Sequence, residues 1–392
     1  MGNRNLWIGA AVVAVLAIVI VIGLQQRDTG VAVASPSASA TPRGTATAAA
    51  NATTAVSFAP TASPGSSAVY NDDFGFVVTD VGAGATIRSE SGAPRQGLSF
   101  SSQGFAISPD GKNIAYWTLG TSAGPQQLRT FTTLGNATEQ TWVTLTAGQR
   151  GGGIAWSSDG AGVLYSTETG SFGIGGGTNS ATLDVYEFAV GGRRGTIDAQ
   201  TNTGWLYRPI AWDRSVNLAA AGLTGEGAGM AFYVTVRINP DNSFNAQRVD
   251  TRSNGMQMNT IRASSDAKLV LGVDFGSGEI RFWPLADFSA RKTSGNGKTG
   301  ALWQPGTHKI GFLSADSFFL FQADDGSTST TFRGVKPGSL PRVFRAEGTA
   351  VVLAVPQGTG LGATEYTVVR LSDGATSSFT ATGGLAASVR VR

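Results

Sequence analysis

The chain of 392 residues contains no cysteine and only one histidine, His308. Without thiols it can form no disulfide, no thiolate metal site and no cysteine nucleophile. One imidazole cannot build a histidine metal cluster. Charge is sparse as well: Asp, Glu, Lys and Arg make up 14% of the residues, and 29 Lys+Arg against 26 Asp+Glu leave a net charge of +3. The basic residues stand singly rather than in runs, which argues against a nucleic-acid surface. Solubility must therefore come from small polar residues and from backbone exposed by the 54 glycines.

What is present is a repeat. Six short apolar strands are centred on Ile107, Trp156, Trp212, Ala263, Trp303 and Phe344, at intervals of 49, 56, 51, 40 and 41 residues. Three residues past each centre stand Asp110, Asp159, Ser215, Asp266, Gly306 and Glu347, most of them residues that suit a tight turn. Seven past it come Ile114, Val163, Ala219, Val270, Ile310 and Val351. Nine past it come Tyr116, Tyr165, Ala221, Gly272, Phe312 and Leu353. Apolar sites returning every second residue are strand periodicity. A longer strand and then a more polar one follow each pair, as in Leu128–Leu134 and Thr141–Thr146. Four-stranded units at a period of about 40–50 residues predict an all-β propeller with one unit per blade. A polar outermost strand keeps the blade edge from recruiting another chain. Leu385–Val391, left over at the carboxy end, is expected to join Phe74–Val81 and Ala85–Ser89 in one further blade. That favours seven blades over six.

The turn Ser108-Pro109-Asp110-Gly111, followed by Asn113-Ile114-Ala115-Tyr116, resembles the TolB-like, WD-like propeller repeat of bacterial periplasmic proteins. Its second copy is Ser157-Ser158-Asp159-Gly160, and later copies drift. The resemblance implies the fold for about residues 70–392. Its members include translocation partners and substrate-gating domains, so it implies little about activity.

The amino-terminal part divides into two segments. Leu6–Leu24 is an uncharged apolar run long enough, at about 1.5 Å per residue, to cross a bilayer as a helix. Arg4 and the terminal amine before it, against an Arg27 followed at once by Asp28 after it, favour a cytoplasmic amino terminus and an extracytoplasmic remainder. Residues 1–28 are thus read as a retained single-pass membrane anchor. The alternative is a signal peptide cleaved near Ala32-Val33-Ala34 and a secreted product. Residues 29–68, rich in Ala, Ser, Thr and Pro, bury too little to offset ordering entropy and are expected to form a disordered linker. Residues 69–392 then form the propeller domain.

No catalytic constellation emerges. Gly120-Thr-Ser122-Ala-Gly124 has nucleophile-elbow spacing, but Pro125 and a strand follow where a helix is required. Gly297-Lys298-Thr299 lacks the first glycine of a phosphate loop. Asp72-Asp73 and Asp324-Asp325-Gly326 fall short of a calcium loop. The repeat-turn residues Asp110, Asp159, Asp266 and Glu347 are read as structural caps of backbone N–H groups. No metal or cofactor is implied. Trp205, Tyr207 and Arg208, in the segment leading into a blade, are the candidate binding patch, because aromatics and Arg dominate interface hot spots.

These features predict an extracytoplasmic binding or scaffolding module for a protein, peptide or glycan partner, with no nucleic acid involved and catalysis not expected. One alternative is a hydrolase or lyase with carboxylates at the channel mouth. The other is a structural subunit of an envelope assembly, which would expose a broad apolar patch.

Overall fold

The computed structural model describes residues 70–392 apart from 81–83, 101, 120–124, 135–137, 171–179, 190–191, 202–203, 226–228, 239–246, 258–259, 275–276, 295–297, 356–363 and 382. The anchor Leu6–Leu24, the site Ala32–Ala34, the linker and the Gly120–Gly124 elbow lie outside the described residues. Among the described residues no helix is long and apolar enough to cross a membrane.

The strands assemble into seven four-stranded antiparallel sheets, a seven-bladed β-propeller. The inner strands of the first six blades are Ser102–Ile107, Gln149–Trp156, Leu206–Asp213, Arg262–Ala263, Thr299–Trp303 and Leu340–Phe344. The closing blade takes its inner strand, Gly384–Arg390, from the carboxy end of the chain. It continues outward through Phe74–Asp80, Gly84–Ser89 and Pro94–Phe100. Phe74 pairs with Arg390, and the ladder runs to Thr79 opposite Gly384. Both ends of the ring are therefore sealed by one ladder of backbone hydrogen bonds.

The repeat arithmetic is visible in the register. Each centre lies opposite the residue seven positions on: Ile107 and Ile114, Trp156 and Val163, Trp212 and Ala219, Ala263 and Val270, Trp303 and Ile310, Phe344 and Val351. The centre side chains face the preceding blade. Trp212 packs with Leu164, Leu183 and Val185 of the second blade. Trp303 packs with Leu271, Ile280 and Phe282 of the fourth, and Phe344 with Leu313 and Phe318 of the fifth. Two of the indoles also tie adjacent blades together, Trp156 Nε1 donating to the Ala106 carbonyl at 2.9 Å and Trp303 Nε1 to that of Arg262 at 3.0 Å. Apolar burial of this kind is the main favourable term for each blade interface.

The turns between inner and second strands form a ring of polar clamps. Ser108, Ser157 and Ser264 each donate through Oγ to the Oδ1 of the aspartate two residues on, at 2.6, 2.8 and 2.7 Å. The same Oδ1 atoms accept the backbone N–H of Lys112, Ala161 and Lys268, each at 3.1 Å. Gly111 and Gly160 follow with φ of 75° and 71°, a left-handed conformation that glycine adopts without steric cost. In the sixth blade Glu347 accepts from the Thr349 hydroxyl at 2.5 Å.

Three aspartates at this end reach the next blade through their outer oxygens. Asp159 takes Arg214, Asp213 takes Lys268 Nζ at 2.5 Å, and Asp266 takes His308 Nε2 at 3.0 Å. His308 is gripped from its own blade by Asp324 at 3.0 Å through Nδ1. Partial burial lowers the His308 pKa, but the hydrogen bonds to Asp266 and Asp324 outweigh it and hold the imidazole above its ordinary value. Gln304 Nε2 donates to the Gly348 carbonyl at 2.7 Å, and Ala346 N to Ser388 Oγ at 3.2 Å. The Arg390 N–H donates to the Gly111 carbonyl at 2.8 Å, which brings the clamps back to the first blade.

Candidate functional site: a basic axial channel

Among the described residues, the seven inner strands carry five arginines, Arg150, Arg208, Arg262, Arg342 and Arg390, and a single acid, Asp213. Asp213 stands at the end of its strand and is engaged by Ser215 and Lys268. Arg390 lies over the Phe74 ring at 5.6 Å. The other four arginines define the channel.

Side chains of a regular inner strand alternate between the two neighbouring blade interfaces. A β-bulge breaks that alternation and re-aims one residue. Bulges recur in the inner strands between Ser102 and Gly104, Gly151 and Ile154, Pro209 and Ala211, Thr299 and Leu302, and Pro341 and Val343. Ala386 is the extra residue in the closing blade. At this level the second and fifth blades present Gly152-Gly153 and Gly300, and the third presents Ile210. The sixth presents Arg342, exposed between the buried Pro341 and Val343. Glycine or alanine stands at this level on three blades, and one guanidinium occupies it.

Arg262, on the fourth blade, is the second. Desolvation, and then the like charge of Arg342, depress its pKa below the ordinary guanidinium value. A whole blade separates the two residues along the ring, and both stand exposed on inner strands. Arg262 is open to water, with enough protein around it to desolvate the guanidinium in part. Neither the Arg262 nor the Arg342 guanidinium has a hydrogen-bond or ion-pair partner among the described residues.

Towards the start of the inner strands, Arg150 and Arg208 share one carboxylate. Glu168, 2% exposed, accepts Arg150 Nε and Nη2 at 2.8 Å each through Oε2, and Arg208 Nη1 at 2.5 Å through Oε1. Arg150 and Glu168 are direct cross-strand partners. Two guanidiniums on one carboxylate leave a formal +1 at this mouth, with both arginines about two-fifths exposed (42% and 36%). The glycines beside them are needed: a Cβ at Gly152 would lie 2.3 Å from Ser166 Oγ and 3.0 Å from Glu168 Oε1. At the opposite end, level with the repeat centres, lies a cavity of about 200 Å³ lined by Ile107, Trp303 and Phe344 together with Ser108, Ser265 and Ser388.

The sequence-predicted patch does not assemble as one surface. Tyr207 is fully buried, and its hydroxyl donates to Asp198 Oδ2 at 2.6 Å. Trp205 packs edge-on against Phe232 at 5.8 Å. Arg208 alone reaches the channel. Asp110, Asp159, Asp266 and Glu347 sit in the clamp ring described above. Arg150, Glu168, Arg262 and Arg342 escaped sequence reasoning. The available signal was that arginines recur on inner strands, within six residues of a repeat centre, where acids are almost missing.

One other polar cavity, about 360 Å³, lies between the first and second blades. Asp184 borders it, accepting Thr182 and Thr196 hydroxyls, and desolvation raises its carboxyl pKa despite those bonds.

No protein-family model matches the chain, and no curated protein matches it. Among solved structures it is similar to an oligogalacturonate lyase from Vibrio parahaemolyticus, with 10% identity over 71% of this chain and 76% of that one and a TM-score of 0.44. It is also similar to a putative 6-phosphogluconolactonase from Bacteroides fragilis, with 13% identity over 84% and 100% of the two chains and a TM-score of 0.45. A prolyl endopeptidase shares 10% identity over 79% of this chain and 48% of its own, with a TM-score of 0.48. At such identities the likeness concerns the path of the chain alone.

Proposed function

We propose that the protein is a binding module, held at the outer side of a membrane by Leu6–Leu24, that takes the acidic part of a protein, peptide or glycan partner at its channel. The observation that carries this reading is the excess of arginine over acid on the inner strands. Aligned charge of one sign in a narrow, low-dielectric cleft focuses the field on a ligand of opposite sign. Kinship to TolB-like, WD-like repeats is part of the proposal and rests on the Ser108–Gly111 turn and its copy at Ser157–Gly160.

Hydrolysis is less well supported. Carboxylate chemistry on glycans needs two carboxyl groups facing the scissile bond, and the acid at the described mouth, Glu168, is pinned by two guanidiniums. An assembly subunit would present apolar surface, whereas among the described residues Val216 is the only exposed large hydrophobic.

The test is capture from envelope extract by the full-length chain, side by side with its R150E/R208E variant. A partner retained by the first and lost by the second supports the reading. Equal retention by both, or turnover of a glycan or peptide library by the purified chain, overturns it.

A further inference from the structure

We infer that Arg262 and Arg342 form an oxyanion subsite inside the channel, built to take a carboxylate-bearing group delivered from the Arg150–Arg208 mouth. This rests on the binding-module reading and names the chemistry of its innermost contact.

Arg262 and Arg342 both stand exposed on inner strands, and among the described residues neither has a counter-ion. Desolvation of a cation and repulsion between like charges both oppose the folded state. A buried arginine nearby shows the contrast. Arg345, three residues from Arg342, is 5% exposed and holds the carboxylate of Glu90, 1% exposed, at 2.6 Å through Nε and 2.5 Å through Nη2. Asp213, Glu168 and Asp266 all have cations. Arg262 and Arg342 have none among the described residues, although both stand on strands rigidly fixed by their neighbours.

The geometry selects the ligand. An anion on the axis meets guanidiniums from two sides, each offering a planar fork that matches the two oxygens of a carboxylate. The bulge that exposes Arg342 sets it at the level where the second, fifth and closing blades present glycine and alanine, so slim groups can pass. Arg208 lies two residues further towards the mouth than its blade's bulge residue, Ile210, and so forms a step on the way in. Below the pair lies the cavity near Trp303 and Phe344, which Ser108, Ser265 and Ser388 also line; none of its lining residues is a cation, so the charged end of a ligand is held at the arginines. Two sources of such a group fit this chemistry, a free small polycarboxylate and an acidic group of the bound partner.

The experiment titrates citrate into the full-length chain in detergent at low salt, by calorimetry, for wild type, R262Q, R342Q and the double variant. Saturable binding to wild type, weakened about tenfold by either single change as expected for loss of a charge-assisted fork, supports the subsite. Each variant should show an unchanged or higher melting temperature without citrate, because the like-charge repulsion is relieved. Phenylglyoxal labelling of the wild type supplies a readout that needs no variant: citrate should protect Arg262 and Arg342 from modification.

The double variant also goes into the capture experiment. If citrate binds to wild type and the double variant still retains the envelope partner, the source is a free anion. If citrate binds and the partner is lost, the source is the partner's own acidic group. Absence of citrate binding and of protection, or binding undiminished in the double variant, overturns the subsite. Retention of a partner through Arg150 and Arg208 in that case leaves the binding-module reading standing. Loss of both removes both.

Discussion

Arg342 and Arg345 lie three residues apart on one chain and meet opposite fates. Arg345 is enclosed between the sixth and closing blades, with Glu90 against its guanidinium and Phe74 beneath it at 5.8 Å. Arg342 is turned out by a bulge into the channel and left without a counter-charge. The contrast extends to the two ends of the molecule. Around the turns, Asp159, Asp213 and Asp266 are each matched by a cation across a blade boundary and serve cohesion. Along the axis, charge of one sign accumulates. The same side chain is mortar in one place and bait in the other, and local backbone register decides which.

Removing the partner of the enclosed arginine should have the largest effect. Glu90→Gln leaves Arg345 buried and uncompensated and is expected to cost about 3–5 kcal/mol, measured by urea denaturation. A loss below about 1 kcal/mol would show that water reaches Arg345 and that the contrast with Arg342 is one of degree.

Glu168→Gln sharpens the comparison from the other side. It strips the shared carboxylate from Arg150 and Arg208, both open to solvent, so the stability loss should be smaller, about 1–2 kcal/mol. The mouth gains a full positive charge. Citrate binding should therefore tighten at low salt, and the gain should shrink as added salt shortens the Debye length. Weaker binding would mean that Glu168 orients the arginines more than it neutralises them.

The smallest effect is expected in the clamp ring. His308→Gln should cost about 0.5–1 kcal/mol near pH 6, since the two aspartates are half exposed and screened. The His308 pKa is raised on folding, so its contribution is complete below the unfolded value of about 6.5 and is lost as pH rises through the folded value. The carboxyl of Asp266 moves the other way. Partial burial raises its pKa, but bonds from Ser264, Lys268 N–H and His308 outweigh that and depress it, so its share is lost only as pH falls through the folded value. The melting-temperature difference between wild type and variant should therefore be widest in mildly acid solution and should narrow at alkaline pH. A pH-independent difference would assign His308 to packing instead.

The fold was legible because its cause is local and repeated. Trp156, Trp212 and Trp303 sit at one position of the repeat, and that position faces the preceding blade each time. Leu385–Val391 had no partner of its own, which pointed to ring closure. The channel was less legible for a physical reason. A bulge shifts alternation by one residue, and nothing in Pro341-Arg342-Val343 marks which of the three escapes the interface. Tyr207 shows the converse. Beside Trp205 and Arg208 it reads as an exposed rim aromatic, but strand alternation turns it inward to Asp198. Residues that act in pairs across the axis, such as Arg262 and Arg342, are eighty positions apart. Only the closed ring makes them neighbours.

The ladder between Gly384–Arg390 and Phe74–Asp80 gives the molecule a circular character. The two termini of the described ring emerge side by side from one sheet, so no blade is first in any mechanical sense. Joining Arg392 to Tyr70 by a short bridge and opening the chain at the Lys336–Pro337 turn would yield a permuted protein with the same seven sheets. The seal would then fall between the fifth and sixth blades. Topologically, the order of synthesis is a choice of starting point on a loop.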